Sequence, residues 1–247
     1  MASHVLQQFL CKRARPDVLL AVSFLCTRTH DPDWDDWKKL AKFIKYLRLT
    51  KEMCLTLEVE NLKVVKWWID ASFVVHPDMS SHTGGMMSMG RGSFFSASRK
   101  QKLNTTSSTE AELVGVGDMM PQVLWTRYFI KAQGYEVEDN IVFQDNMSAM
   151  LLERNGRMSS SKRTRHVSIR YFFVTDRIAK GELRVAYCPT EEMLADFFTK
   201  PLQGSQFRLL RDHVLNNPPD EEYDVDEEDG DGLVPKPPTR DQSAGVC

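Results

Sequence analysis

The segment VVKWWID sets Val64, Val65, Trp67, Trp68 and Ile69 in one short run of β-branched and aromatic residues that ends on Asp70. Such a run reads as a β-strand. The following HTGGMMSMGRGSFFSASRK reads as two more strands around a turn at Gly90, Arg91 and Gly92, completing a meander. Helical spacing takes over from Thr109 to Met119. It resumes in PQVLWTRYFIKAQG, with Pro121 at its start and Gly134 at its end. Ile141 to Phe143 form a buried-strand candidate leading to Asp145. An amphipathic segment, HVSIRYFFVTDRIAKGE, precedes a further strand, LRVAYC. A last helix is expected over TEEMLADFFTK, opened by Thr190 and stopped by Pro201. Three strands, helices, a strand, helices, a strand and a helix make an α/β domain on a mixed sheet.

The first sixty residues have a different character. In PDWDDWKKLAKFIKYLRLT, Trp34, Trp37, Leu40, Ala41, Ile44 and Leu47 recur at three- and four-residue steps and share one helical stripe. Asp31 before Pro32 is the expected N-cap. PDVLLAVSFLCTRT is a second helix candidate. The plain reading of both is packing on each other or on a neighbour, since neither carries a catalytic group.

The 247 residues suffice for one to two domains, and 42% hydrophobic with 27% charged residues is the balance of a globular chain. No apolar run approaches the ~20 residues that span a bilayer, so no membrane partner is expected. MASHVLQQFL is too short and polar for a signal peptide, and its basic CKRAR follows the apolar stretch. The expectation is an intracellular protein, cytoplasmic or nuclear and not secreted. Five scattered cysteines without a CxxC suggest reduced thiols rather than disulfides or zinc.

The net charge of -2 conceals an asymmetry. The segment 218–247 holds ten acids against Lys236 and Arg240, so it carries -8 and residues 1–217 carry +6. A basic body with an acidic extension suggests a polyanion-binding domain followed by a solvated tail. The expected division is therefore a helical segment over 1–60, an α/β domain over 61–216 and a disordered acidic tail over 217–247.

Four acids stand where such a domain can gather them. Asp70 and Asp145 end strands, Glu112 opens a helix, and Asp196 lies on the last helix. Carboxylates at the ends of neighbouring strands converge at one sheet edge. Their mutual repulsion and desolvation make sense mainly when divalent cations neutralise them. Hard oxygen ligands suit magnesium or manganese rather than zinc. Each acid alone has a duller reading, as a turn cap at Asp70 or Asp145 or a solvated helix acid at Glu112 or Asp196.

WWIDASF, HTGG, SASRKQKLNTTSSTEAEL, VFQDNMSAMLL, KRTRHVSIRYFF and YCPTEEMLADFFTKPL, in this order, closely resemble the ribonuclease H domain of copia-type retrotransposon Pol polyproteins. ARPDVLLAVSFLC and DWKKLAKFIKYLRLTKEMCLTL resemble the segment just upstream, the C-terminal end of the reverse transcriptase. The resemblance covers about residues 10 to 215. It implies a ribonuclease H-like, mixed five-stranded sheet flanked by helices, preceded by a reverse-transcriptase thumb and connection remnant. It also implies metal-dependent cleavage of the RNA strand of RNA–DNA hybrids, with two Mg2+ ions that Mn2+ can replace.

Carried over residue by residue, Asp70 in IDASF and Asp145 in FQDN match the family's strand-end aspartates. STEAEL offers Glu110 and Glu112, which diverge by about 200° on a helix. Glu112 is preferred because Glu112-Leu113-Val114-Gly115 better resembles the family's helix start, and Glu110 is kept as the alternative. Asp196 in ADFFTK matches by position. The turn between Cys188 and Glu192 is too short for the histidine-bearing loop of cellular ribonucleases H.

For the hybrid, Lys162, Arg163, Arg165, His166 and Arg170 form one basic run, with Arg154 and Arg157 before it, and Arg99, Lys100 and Lys102 form a second patch. Such runs neutralise phosphates and make binding salt-dependent. Ser107 and Ser108 offer hydroxyls to a backbone or a 2′-hydroxyl. An ordinary solvated basic face is the competing reading, and packing or helix capping is the competing reading of His166. No aspartate-pair polymerase motif is present, so polymerase activity is not expected; the missing parts of a reverse transcriptase are expected partners, and the oligomeric state is open. The alternative function is a catalytically inactive nucleic-acid-binding remnant of the same element, suggested by the abbreviated start. An integrase core shares the sheet topology, but ADFFTKPL and the reverse-transcriptase-like N-terminus point away from it.

Overall fold

The structure is a computed structural model that describes residues 9–155 and 168–217, without the side chains of 168–171. Its centre is a five-stranded mixed sheet of order β5-β3-β2-β6-β7, formed by β2 (Val64–Ser72), β3 (His82–Ser88), β5 (Phe95–Lys100), β6 (Asp139–Gln144) and β7 (Arg184–Tyr187). The β2, β3 and β5 strands form an antiparallel meander, whereas β6 and β7 run parallel to β2. A two-residue pair, β1 (Glu58–Val59) with β4 (Gly90–Arg91), stands apart. Gly90 and Arg91 thus pair with an earlier segment, where the sequence suggests only a turn.

Alternation along β2 sends its residues into two cores. Val65, Trp67 and Ile69 are fully buried with Val116, Met119, Met120 and Val123 of α3 (Ser108–Ala132) and Val174 of α5 (Ser168–Ala179). On the opposite face, Trp68 and Met86 pack with Val18, Leu19, Val22, Phe43, Phe197, Phe198, Leu210 and Val214. This second cluster joins α1 (Leu19–Thr27), α2 (Trp34–Leu49) and α6 (Gly204–Leu215) to the sheet. The helices of the first sixty residues therefore share a core with the residues that follow. A buried carboxylate fastens them: Asp17 accepts from Arg15 Nε at 2.9 Å and Nη2 at 2.7 Å, and from the Tyr46 hydroxyl at 2.8 Å.

Several local expectations are corrected. The N-cap of α2 is Asp33, not Asp31. Asp33 Oδ1 accepts from Asp36 N at 2.8 Å and Asp36 Oδ2 accepts from Asp33 N at 3.1 Å, a reciprocal capping box that Asp31 cannot form. The two helices expected on either side of Pro121 are one helix, α3, with the proline inside. Burial of Val116, Met119, Met120 and Val123 on one face outweighs the backbone hydrogen bond the proline forgoes. The helix expected over TEEMLADFFTK is two short 3-10 helices, Thr190–Glu192 and Leu194–Phe198. The last helix is instead α6, which the sequence reading did not anticipate.

Among the described residues no helix is long and apolar enough to cross a membrane, and Cys11, Cys26, Cys54 and Cys188 form no disulfide. The expected acidic tail lies, from residue 218 on, outside the described residues.

Candidate active site

The pairing of β2 with β6 fixes where two acids meet. Trp68 stands opposite Phe143 in this parallel pair, so two residues further along each strand bring Asp70 and Asp145 to the same level. The chain leaves β2 for β3 on one side and returns as β6 on the other. Parallel neighbours whose connections part in this way open a crevice at their carboxyl ends. Glu112 reaches that crevice from the first turns of α3, where its Oε1 accepts from Ala71 N at 3.3 Å. One carboxylate oxygen each from Asp70, Glu112 and Asp145 lie within 4.8 Å of one another.

Helix α3 packs on the sheet at Gly115, where a Cβ would make ordinary 3.5 Å contacts with Ala71 Cβ and Thr83. A closer approach brings in the fourth acid. Gly84 pairs with Asp70 across β2 and β3. A Cβ on Gly84 would lie 2.6 Å from Thr199 Cγ2, 2.9 Å from the Ala195 carbonyl and 2.9 Å from Phe198 Cβ. The bare glycine lets the Leu194–Phe198 turn lie directly on the strand and carry Asp196 and Thr199 towards Asp70. The Thr199 hydroxyl donates to Asp70 Oδ2, and the Thr190 hydroxyl donates to Asp145 Oδ2 at 3.1 Å. Lys200 Nζ donates to Asp196 Oδ2 at 2.7 Å.

The electrostatics of the centre are those of crowded, dehydrated carboxylates. Burial, reinforced by the charges of Asp70 and Asp145, holds Glu112 well above the ordinary carboxylate range. Asp196 is pushed up to about 6 by burial and by Asp70, against the lowering effect of Lys200. Burial acts to lower the Lys200 ammonium, but its bond to Asp196 and the charges of Asp70, Asp196 and Asp145 hold it above its ordinary value. Glu112 Oε2 and Asp196 Oδ1 are buried with no hydrogen-bond partner. Unpaired buried carboxylate oxygens are costly, and a divalent cation reverses that cost. The donor set is all oxygen, so these residues fit a hard divalent ion such as magnesium or manganese.

Of the residues singled out in the sequence, Asp70, Glu112 and Asp145 come together, and Asp196 lies outside that group but within reach of the charges of Asp70 and Asp145. Glu110 turns away: its Oε2 accepts from Thr106 N at 2.8 Å and from the Thr106 hydroxyl at 2.7 Å, at the start of α3. Ser107 is the N-cap of α3 and accepts from Glu110 N at 3.2 Å, and Ser108 is exposed. Arg99 Nη2 reaches Met119 Sδ at 3.1 Å, Lys100 pairs with Asp78, and Lys102 is exposed. Arg154 donates to the Val185 carbonyl at 2.6 Å. Arg157, Lys162, Arg163, Arg165 and His166 lie outside the described residues, as does the Arg170 side chain. Thr199, Lys200 and Gly84 also shape the site, and in the sequence only their place within ADFFTKPL and HTGG points to them.

No family model matches the chain. It is 27% identical over 201 residues to the retrovirus-related Pol polyprotein from transposon TNT 1-94 of Nicotiana tabacum, covering 81% of this chain and 15% of that protein. It is 30% identical over 196 residues to the retrovirus-related Pol polyprotein from transposon RE2 of Arabidopsis thaliana, covering 78% of this chain and 13% of that one. The chain thus spans about one seventh of the length of these two relatives. Among solved structures, LC11-RNase H1 in complex with an RNA/DNA hybrid aligns with a TM-score of 0.40 at 11% identity, over 54% of this chain and 92% of that one. The relatives of this chain are thus retrovirus-related Pol polyproteins from transposons, and the mixed five-stranded sheet flanked by helices that the sequence resemblance implies is the sheet observed.

Proposed function

We propose that the chain is a metal-dependent endonuclease that hydrolyses the RNA strand of RNA–DNA hybrids. The observation that carries this reading is the meeting of Asp70, Glu112 and Asp145 within 4.8 Å at the end of the central strands. Asp70, Glu112, Asp145 and Asp196 would hold two Mg2+ ions. Divalent ions held there would supply activation of a water on one side of a phosphodiester and stabilisation of the leaving oxygen on the other. The protein's own part is to hold the carboxylates in register. Thr199 fixes the rotamer of Asp70, Thr190 that of Asp145, and the Ala71 amide that of Glu112.

The hybrid as substrate follows from the sequence resemblance, and the exposed Lys102, before α3, and Ser108, its first residue, suit a phosphate backbone and a 2′-hydroxyl. The basic run 162–170 would add positive charge for phosphates. Incubation of the purified chain with labelled hybrid and Mg2+ tests the reading. Cleavage of the RNA strand is expected, with a loss of at least ~100-fold in Asp70→Asn and in Asp145→Asn. Retained cleavage in these variants overturns it. Tight hybrid binding without turnover at saturating Mg2+ and Mn2+ would assign the chain to the inactive binding class instead.

A further inference from the structure

One cation is already built into the acidic centre. Lys200 Nζ lies 2.7 Å from Asp196 Oδ2, and Lys200 also lies in the field of Asp70 and Asp145. The two partners differ in exposure: 39% of the Lys200 side chain is open to solvent against 5% of Asp196. Asp196 Oδ1 has no hydrogen-bond partner, so this carboxylate has one oxygen taken by the ammonium and one left over. The cluster of Asp70, Glu112 and Asp145 meets without Asp196. A first divalent ion can therefore sit on those three acids and leave the Lys200 pair intact. A second ion that draws on Asp196 competes with Lys200 for the same carboxylate. Lysine is a compact point charge on a flexible stem, and this partly exposed side chain can swing towards water without leaving a buried cation behind.

We propose that Lys200 is a tethered counter-cation that neutralises Asp196 until a second divalent ion displaces it, and that it thereby sets the affinity of the second ion but not of the first. This rests on the metal-centre reading above. The ammonium spares the metal-free centre one uncompensated buried charge. It also makes the complete centre conditional on divalent-ion concentration, or on a phosphate that draws the ammonium away from Asp196.

The test is a titration of the full chain with Mn2+, followed by calorimetry and by the loss of the free-ion paramagnetic resonance signal, with thermal unfolding in chelator alongside. In the wild type a tighter and a weaker site are expected. Lys200→Met should tighten the weaker site by about tenfold, the effect of removing ~1.4 kcal/mol of competition, and leave the tighter site within about twofold. Lys200→Arg, which keeps the charge, should stay near the wild type. Combining Lys200→Met with Asp196→Asn should abolish the gain, because the competition runs through that carboxylate. In chelator Lys200→Met should melt below the wild type, and saturating Mn2+ should close the gap. A weaker site in Lys200→Met that is unchanged or weakened overturns the proposal while leaving the metal centre standing. A wild type that takes up no Mn2+ overturns the metal centre and this inference with it.

Discussion

The Thr199 hydroxyl donates to Asp70 Oδ2 across 129 residues of chain, from the turn that carries Asp196 to the end of the central strand. Both residues are buried, at 2% and 3% exposure. Thr199→Val keeps the shape and removes the donor, leaving a buried carboxylate oxygen short of a partner, which costs about 1–3 kcal/mol. The expected outcome is a lower melting temperature and a fall in hybrid cleavage of about tenfold, with Thr199→Ser recovering most of both. Thermal unfolding and initial cleavage rates read the two effects.

Gly84 is the contact on which the Asp196 turn rests. An added Cβ would stand 2.9 Å from the Ala195 carbonyl, an atom of the backbone that has little freedom to retreat. Gly84→Ala should therefore lift the turn from β3, destabilise the fold by about 1–3 kcal/mol and weaken Mn2+ binding. Gly134→Ala is the contrasting variant, since nothing lies within 4 Å of its Cβ position. Its cost is confined to its φ of +89°, and Mn2+ binding should stay at the wild-type level.

Without metal, stability should fall as pH rises. Glu112 is held well above its ordinary 4.5, and Asp196 is pushed from 3.8 up to about 6, both first by burial. Above the ordinary values the unfolded chain releases these protons while the folded protein retains them, so stability present at low pH is lost towards the folded-state values. Saturating Mg2+ favours the ionised carboxylates and should flatten or reverse this slope. Melting temperatures across the acid-to-neutral range, with chelator and with Mg2+, check the direction.

Glu153 offers the same argument away from the proposed metal ligands. It is fully buried on α4 (Met147–Asn155), and burial pushes its carboxyl up to about 8. With its amide nitrogen turned towards it, Gln144 donates to Glu153 Oε2 at 2.8 Å. Glu153→Gln retains an acceptor and removes the proton equilibrium. The variant should gain on the wild type as pH rises from 4.5 towards about 8, by up to a few kcal/mol. Denaturant titrations at several pH values measure the gain.

What was legible in the sequence was what depends on short-range pattern. Trp67 and Ile69 announced β2, and the strand ends announced Asp70 and Asp145. Glu112 is preferred over Glu110 on the sequence resemblance, and the structure adds the physical reason, the capture of Glu110 by Thr106 at the helix start. Pro121 signalled a break that burial of α3 overrides. ADFFTK carries helical spacing, yet its backbone is shaped by the strand beneath it through Gly84. Thr199 shows nothing by spacing, since its partner Asp70 stands 129 residues earlier, whereas Lys200 follows Asp196 by four residues, the ordinary spacing of a helical ion pair.

The central claim is that Asp70, Glu112 and Asp145 act together as one cation site. Calorimetric titration of the full chain with Mg2+, with and without a hybrid oligonucleotide, tests it most directly when Glu112→Gln is measured beside the wild type. The account predicts saturable uptake by the wild type that tightens with hybrid, and uptake weakened by at least ~10-fold in the variant. Equal uptake by the two proteins, or none by the wild type, would contradict it.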